Sequence, residues 1–181
     1  MDAAPSDAEL VRLAQSGNRE AFDEIVRRHQ RHVYQLCYRF VGNHEDASDL
    51  AQDVFVRAFK ALGRFKGESA LATWLYRIGV NVCLNRKALK TLPIEPMPLV
   101  EPADIGAETA DAVVARRERA RVVRAAIAKL PNRQRATLIL RTYHDLPHDE
   151  IAKILGSSVG AVKANFFHAL ANLKKILAGE R

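Results

Sequence analysis

Cysteine is scarce in this chain. Two in 181 residues, Cys37 and Cys83, give neither a disulfide framework nor a thiol set at zinc-ligand spacing. Both fall within helical patterns, and the expectation is a pair of reduced, partly buried thiols in a reducing compartment. Long apolar runs are also missing. No stretch approaches the roughly 18 uninterrupted apolar residues of a membrane span. The opening MDAAPSDAEL carries acids and no apolar segment, so it does not read as a secretory signal. A cytoplasmic protein without direct membrane insertion is expected. Strand-like alternation of useful length is absent, which leaves an all-α fold. There is no P-loop, GxGxxG or HExxH. His29, His32 and Cys37 do not form a convincing metal set, because His32 turns partly away from the face shared by His29 and Cys37. Neither a cofactor nor a catalytic activity is expected.

One absence is local. Residues 91–110 hold no lysine or arginine but contain Glu95, Glu101, Asp104 and Glu108, together with Pro93, Pro96, Pro98 and Pro102. Proline removes an amide donor and restricts its neighbour, so no helical period survives there. The segment reads as an acidic linker between two small helical domains, 1–90 and 111–181. The overall charge of +7 is carried on both sides of it. Residues 1–90 contribute 14 Lys/Arg against 11 Asp/Glu, and residues 111–181 contribute 14 against 6. Two basic blocks flanking an acidic spacer suggest a polyanion touched in two places.

In the first block, Asp7 can cap a helix carrying Leu10, Val11 and Leu13, which ends at Gly17-Asn18. A longer helix from about Arg19 places Phe22, Ile25, Val26, His29, Val33, Leu36, Cys37 and Phe40 on one side, and Gly42-Asn43 stops it. From His44 onward, Ala47, Leu50, Ala51, Val54, Phe55, Ala58, Phe59 and Leu62 form an apolar stripe. Asp46, Asp49 and Asp53 make an acidic ledge beside it, with Gln52 and Arg57 nearby. After a basic-aromatic loop, the next helix buries Leu71, Trp74, Leu75, Ile78 and Val82. Its other side presents Thr73, Arg77, Asn81 and Asn85.

In the second block, a helix from about Asp111 carries Val114, Val122, Val123, Ile127 and Leu130. The helix Arg133–Tyr143 follows. A short helix, His148–Leu155, then leads through Gly156-Ser157-Ser158 to a last helix from about Val159, with Ser158 as its N-cap. That helix is expected to bury Val162, Phe166, Leu170, Leu173 and Leu177. Short helix, glycine-containing turn and longer helix make a helix-turn-helix.

The stretches DASDLAQDVFVRAF and GRFKGESALATWLYRIGVNVCLN resemble the second conserved region of bacterial extracytoplasmic-function (ECF) sigma factors. The segment from RVVRAAIAKLPNRQRA to the VGAVK helix resembles their fourth region: the LP-x-x-x-R run, the EIAxxLG turn and VGAVK occur in the family's order. The resemblance implies a factor that binds core RNA polymerase and directs initiation at −10 and −35 promoter elements. It places the polymerase contact on Asp49, Gln52 and Asp53. It places the −10 reader on Phe65, Lys66, Arg77, Asn81, Arg86 and Lys87, with Lys90 a further backbone candidate. Trp74 is assigned to core packing, and Phe65 is divided between pocket and core. The −35 reader falls on Arg141, Gly160, Ala161, Lys163, Ala164, Phe167 and His168, a set poorer in arginine than is usual for the family. The resemblance also implies an anti-sigma partner and a linker that threads the polymerase cleft; a plain flexible tether is the other reading of that segment. The alternative is a helix-turn-helix regulator that works without polymerase. A helical enzyme is a remoter third class.

Overall fold

The computed structural model describes residues 4–86 and 110–179, and every regular element among them is helical. Residues 91–109 of the expected linker, and Lys87 and Lys90 before it, lie outside the described residues. The order is α1 (Asp7–Gln15), α2 (Arg19–Val41), α3 (His44–Ala61), a 3-10 turn (Leu62–Arg64), α4 (Leu71–Asn85), α5 (Ala110–Ala128), α6 (Asn132–Tyr143), α7 (His148–Leu155) and α8 (Val159–Leu177).

Local chemistry sets these boundaries. Ser6, not Asp7, caps α1: the Glu9 amide donates to Ser6 Oγ at 3.3 Å, and the Ser6 amide donates to Glu9 Oε2 at 2.7 Å. This reciprocal capping box frees Asp7, whose carboxylate instead meets Arg28 at 3.3 Å and His29 at 2.9 Å on α2. Gly42 closes α2 in the left-handed region, at φ 78°, where a side chain would be strained. Asn43 then caps α3 by accepting from the Asp46 amide at 2.9 Å. Ser158 caps α8 as the sequence leads one to expect, accepting from the Ala161 amide at 3.1 Å.

Helices α1 to α4 pack around Ile25, Val33, Leu36, Val54, Leu75 and Val80, all essentially inaccessible. Gly79 lets α4 approach α2 closely; a Cβ built there would lie 2.8 Å from Leu36 Cδ2. Cys37 and Cys83 are both buried in this core, where the contact with Cys37 and then burial hold the Cys83 thiol well above its ordinary value. Helices α6 to α8 pack around Ile139, Leu140, Ile151 and Val162. Buried residues of both groups form one contiguous cluster.

Three expected stripes shift. Phe59 is 57% exposed and meets Phe22 edge-on, its ring lying at the flank of the α3 stripe. Val114 and Val122 are exposed, because α5 reaches the core through its C-terminal end, at Ala126 and Ile127, followed by Leu130. On α8 the inward line runs Val162, Phe166, Ala169, Leu173 and Ile176, so Leu170 and Leu177 sit on the flank. The small Ala169 lets α8 sit close to α6, and Asn172 donates to Gln134 at 2.8 Å across that contact.

The two groups of helices also meet. Helix α7 lies against α4, where Thr73 Oγ1 donates to Glu150 Oε2 at 3.0 Å. Tyr76 shares a 3.1 Å hydrogen bond with His144 Nδ1. The Arg39 guanidinium lies 3.9 Å from the Tyr143 ring centroid, and the buried Arg135 lies 5.1 Å from that of Phe40. Among the described residues, no helix is long and apolar enough to cross a membrane.

Candidate nucleic-acid interface

The 3-10 turn and the loop after it deliver a short aromatic and basic run onto the N-terminal half of α4. The Phe65 amide donates to Leu62 O at 2.9 Å, turning the chain so that the Phe65 ring lies 4.9 Å from that of Trp74. Gly67, at φ 73°, completes the reversal. The result is an open cleft of about 530 Å³ lined by Arg64, Phe65, Lys66, Glu68, Ser69, Thr73, Trp74, Arg77 and Lys153. Its floor is a pair of half-buried rings, and four cationic side chains stand on its rim. Aromatic faces can stack an unpaired base, while the cations hold its phosphates.

Phe65, Lys66 and Arg77 are therefore brought together. Asn81 is exposed one turn further along α4 and does not line the cleft. Arg86 turns back onto the carboxylate of Asp46, so its cation is already engaged. Trp74, expected as core, does both jobs: it is packed against the core, and its ring forms the cleft floor. Ser69 belongs to the loop expected to read the −10 element and Thr73 to the polar side of α4, whereas nothing in the sequence singles out Arg64. Nor could it single out Lys153, which arrives from α7, 76 or more residues from the α4 side chains it joins. Lys153 pairs with Glu150 at 2.7 Å; that bond, and then the one from Thr73, hold the Glu150 carboxyl below its ordinary value.

On the α2–α3 side, Asp49 and Gln52 are exposed, while Asp53 receives the Arg57 guanidinium at 3.0 Å. Asp46 does not belong to this ledge. It is buried, accepts from Asn43 Nδ2 at 2.9 Å and holds Arg86, which is the structural duty of a residue at the start of α3. A shallow groove lined by Val26, Tyr34, Ala51, Gln52 and Phe55 runs beside the ledge.

On α8, Gly160, Ala161, Lys163, Ala164, Phe167 and His168 are all exposed, Phe167 at 70%. They share the outer face of the second helix of the helix-turn-helix. Arg141 stands off this face, half-buried, donating to Leu146 O at 3.1 Å and so bracing the turn before α7. Among the described residues, no group of His, Cys, Asp and Glu could hold a metal ion.

Two family models match the chain: Sigma-70 region 2 over residues 25–90, and Sigma-70, region 4 over residues 120–173. The chain is 33% identical to the RNA polymerase sigma-H factor of Pseudomonas aeruginosa, over 94% of this chain and 93% of that relative. It is 34% identical to the ECF RNA polymerase sigma factor SigM of Mycobacterium tuberculosis, over 95% of this chain and 85% of that one. CnrH, solved in complex with the cytosolic domain of CnrY, superimposes with a TM-score of 0.70 at 29% identity, covering 97% of this chain and 99% of CnrH. Fold, motif order and relatedness along nearly the whole length agree, and the chain belongs to the ECF group of sigma-70 family RNA polymerase sigma factors.

Proposed function

We propose that the protein binds core RNA polymerase in the cytoplasm and directs initiation at promoters whose −10 and −35 elements it reads with two separate working halves, 1–90 and 111–181. The observation that carries this reading is the cleft on α4, where Phe65 and Trp74 lie ring to ring beneath Arg64, Lys66 and Arg77. Two rings packed at a tilt under a basic rim suit a base taken out of the duplex. Asn81 and Lys87 remain candidates for the strand leaving that cleft. The exposed face of α8, from Gly160 to His168, is the proposed −35 reader, with Lys163 as its phosphate anchor. Asp49, Gln52 and Asp53 are the proposed polymerase contact, carboxylates at helical spacing that suit a basic partner helix.

The two elements lie about 25 base pairs apart by their names, about 85 Å along B-form DNA. Helices α4 and α7, which touch here, must part when both elements are read. The packed arrangement is therefore that of the factor off the promoter. An anti-sigma partner is proposed as well, supported by the presence of a second protein in the CnrH structure.

A regulator that acts without polymerase would use α7 and α8 but gives no purpose to the cleft on α4. The test is binding of a single-stranded −10 oligonucleotide by the reconstituted holoenzyme. Phe65→Ala should weaken it at least about fivefold, since base stacking is worth about 1–3 kcal/mol. Undiminished binding would remove the cleft from the account.

A further inference from the structure

We infer that Gln15, at the end of α1, is a positioning residue for the proposed −10 cleft. This rests on the reading of that cleft given above. Gln15 Nε2 donates to Leu62 O and to Phe65 O, both at 2.9 Å, across 47 and 50 residues of sequence. These two carbonyls bracket the turn that presents the Phe65 ring. Leu62 O also receives the Phe65 amide, and the Phe65 carbonyl opens the loop that runs on through Gly67 to α4. One side-chain amide thus spends both its N–H groups on the two ends of a single turn. It fixes the backbone at Phe65, at φ −72° and ψ 115°, and with it the seat of the ring on Trp74.

The support behind Gln15 is firm. Helix α1 is started by the Ser6–Glu9 capping box and tied to α2 through Asp7, which reaches both Arg28 and His29. Leu10 and Val11 bury its inner face. A short rigid helix therefore holds a donor pair against a loop that otherwise has few regular backbone bonds of its own. The Sigma-70 region 2 match begins only at residue 25, so this helix lies outside the family segment. Gln15 itself is exposed and is not among the residues lining the cleft; it meets the site only at the Phe65 carbonyl, so its effect on DNA passes through Phe65.

The chemistry distinguishes substitutions sharply. Gln15→Glu has the same shape but no donor, and it faces two carbonyl oxygens with a carboxylate. Gln15→Ala leaves both carbonyls to water. Gln15→Arg restores N–H donors from the same exposed position. Two exposed hydrogen bonds of ordinary strength correspond to a loss of about fivefold to tenfold in any property that needs the loop in place.

The experiment uses full-length protein assembled with core polymerase. The probe is the non-template single strand that the wild-type holoenzyme enriches from a pool randomised over ten positions. Equilibrium affinity for that strand is measured alongside affinity for core polymerase and thermal unfolding of the free factor. The inference expects Gln15→Glu and Gln15→Ala to weaken strand binding about fivefold to tenfold. It expects Gln15→Arg to recover most of it, with core affinity unchanged in all three and any fall in unfolding temperature limited to the few degrees that two lost exposed bonds account for. Phe65→Ala, run in parallel, separates the two failures. If Phe65→Ala weakens binding and the Gln15 variants do not, Gln15 is not a positioning residue and the cleft stands. If Phe65→Ala has no effect, or no strand is enriched, the cleft reading fails and takes the inference with it. A Gln15 variant that lowers core affinity in proportion to strand binding, or lowers the unfolding temperature by more than those few degrees, would show a general structural role and overturn the inference.

Discussion

His144 makes the contact between the two groups of helices sensitive to acid. The residue is half-buried, shares a hydrogen bond with Tyr76 through Nδ1, and has its Nε2 shut off from solvent without a partner. Burial pushes its pKa from 6.5 down to about 4; the nearby His32 and Arg39 push the same way, and Asp145 opposes them. The folded protein thus favours the neutral ring. The unfolded chain takes up the proton first, near 6.5, and the folded protein takes it up only near 4. Stability from this residue is complete above about pH 6.5 and drains away as pH falls toward 4. A gap from 6.5 to about 4, at about 1.4 kcal/mol per unit, amounts to about 3 kcal/mol. The assay is urea unfolding followed by the single tryptophan, Trp74, which stands on α4 beside the cleft that Lys153 also lines. Wild type and His144→Phe are compared at intervals from pH 7.5 to pH 4.5, so that carboxylates common to both cancel. At neutral pH the variant should be slightly the weaker, having lost the bond to Tyr76. The difference should then reverse, swinging by about 2–3 kcal/mol across the range. Parallel pH profiles for the two proteins would refute the argument.

Other expectations follow from single contacts. Gly79→Ala drives a methyl into Leu36 in a filled core and should cost about 1–3 kcal/mol in denaturant unfolding; an unchanged midpoint would mean that α2 and α4 are less tightly seated than described. Asp49→Arg together with Asp53→Arg should weaken core-polymerase binding far more than they lower stability, where only the exposed Asp53–Arg57 pair is lost; equal affinity in a titration would move that interface elsewhere. Lys163→Ala should lower affinity for a duplex −35 fragment and reduce the slope of log K against log salt by about one unit, and an unaltered slope would leave Lys163 outside the interface.

Much of the fold is legible in the sequence because local chemistry dictates it. The Gly42-Asn43 stop, the His148–Leu155 helix and the Ser158 cap all stand where turn and capping residues place them. What the sequence conceals is choice among near-equal helical registers. Leu170 is larger and more apolar than Ala169, so a reading by hydrophobicity prefers it, and Leu177 and Ile176 are isomers that such a reading cannot separate. The close approach of α8 to α6 rewards the small residue instead. Asp46 looks like a third member of the acidic ledge until Asn43 and Arg86 draw it inward, a contact 40 residues away that spacing cannot announce. The cleft was half visible: Phe65, Lys66 and Arg77 follow from the loop and helix pattern. Trp74 carries both an apolar stripe position and a ring face, and periodicity reports only the first. Gln15 and Lys153 join the site purely through tertiary packing, so no local pattern marks them.

The central claim is that this chain gives core polymerase its promoter choice through two DNA-reading faces. Run-off transcription with purified core polymerase, on a promoter library randomised at both elements, tests it most directly. The account predicts transcripts that depend on this protein, start at one fixed distance from an enriched pair of elements, and are lost with Phe65→Ala. Transcription indifferent to the protein, together with tight binding of a duplex operator in the absence of polymerase, would contradict it.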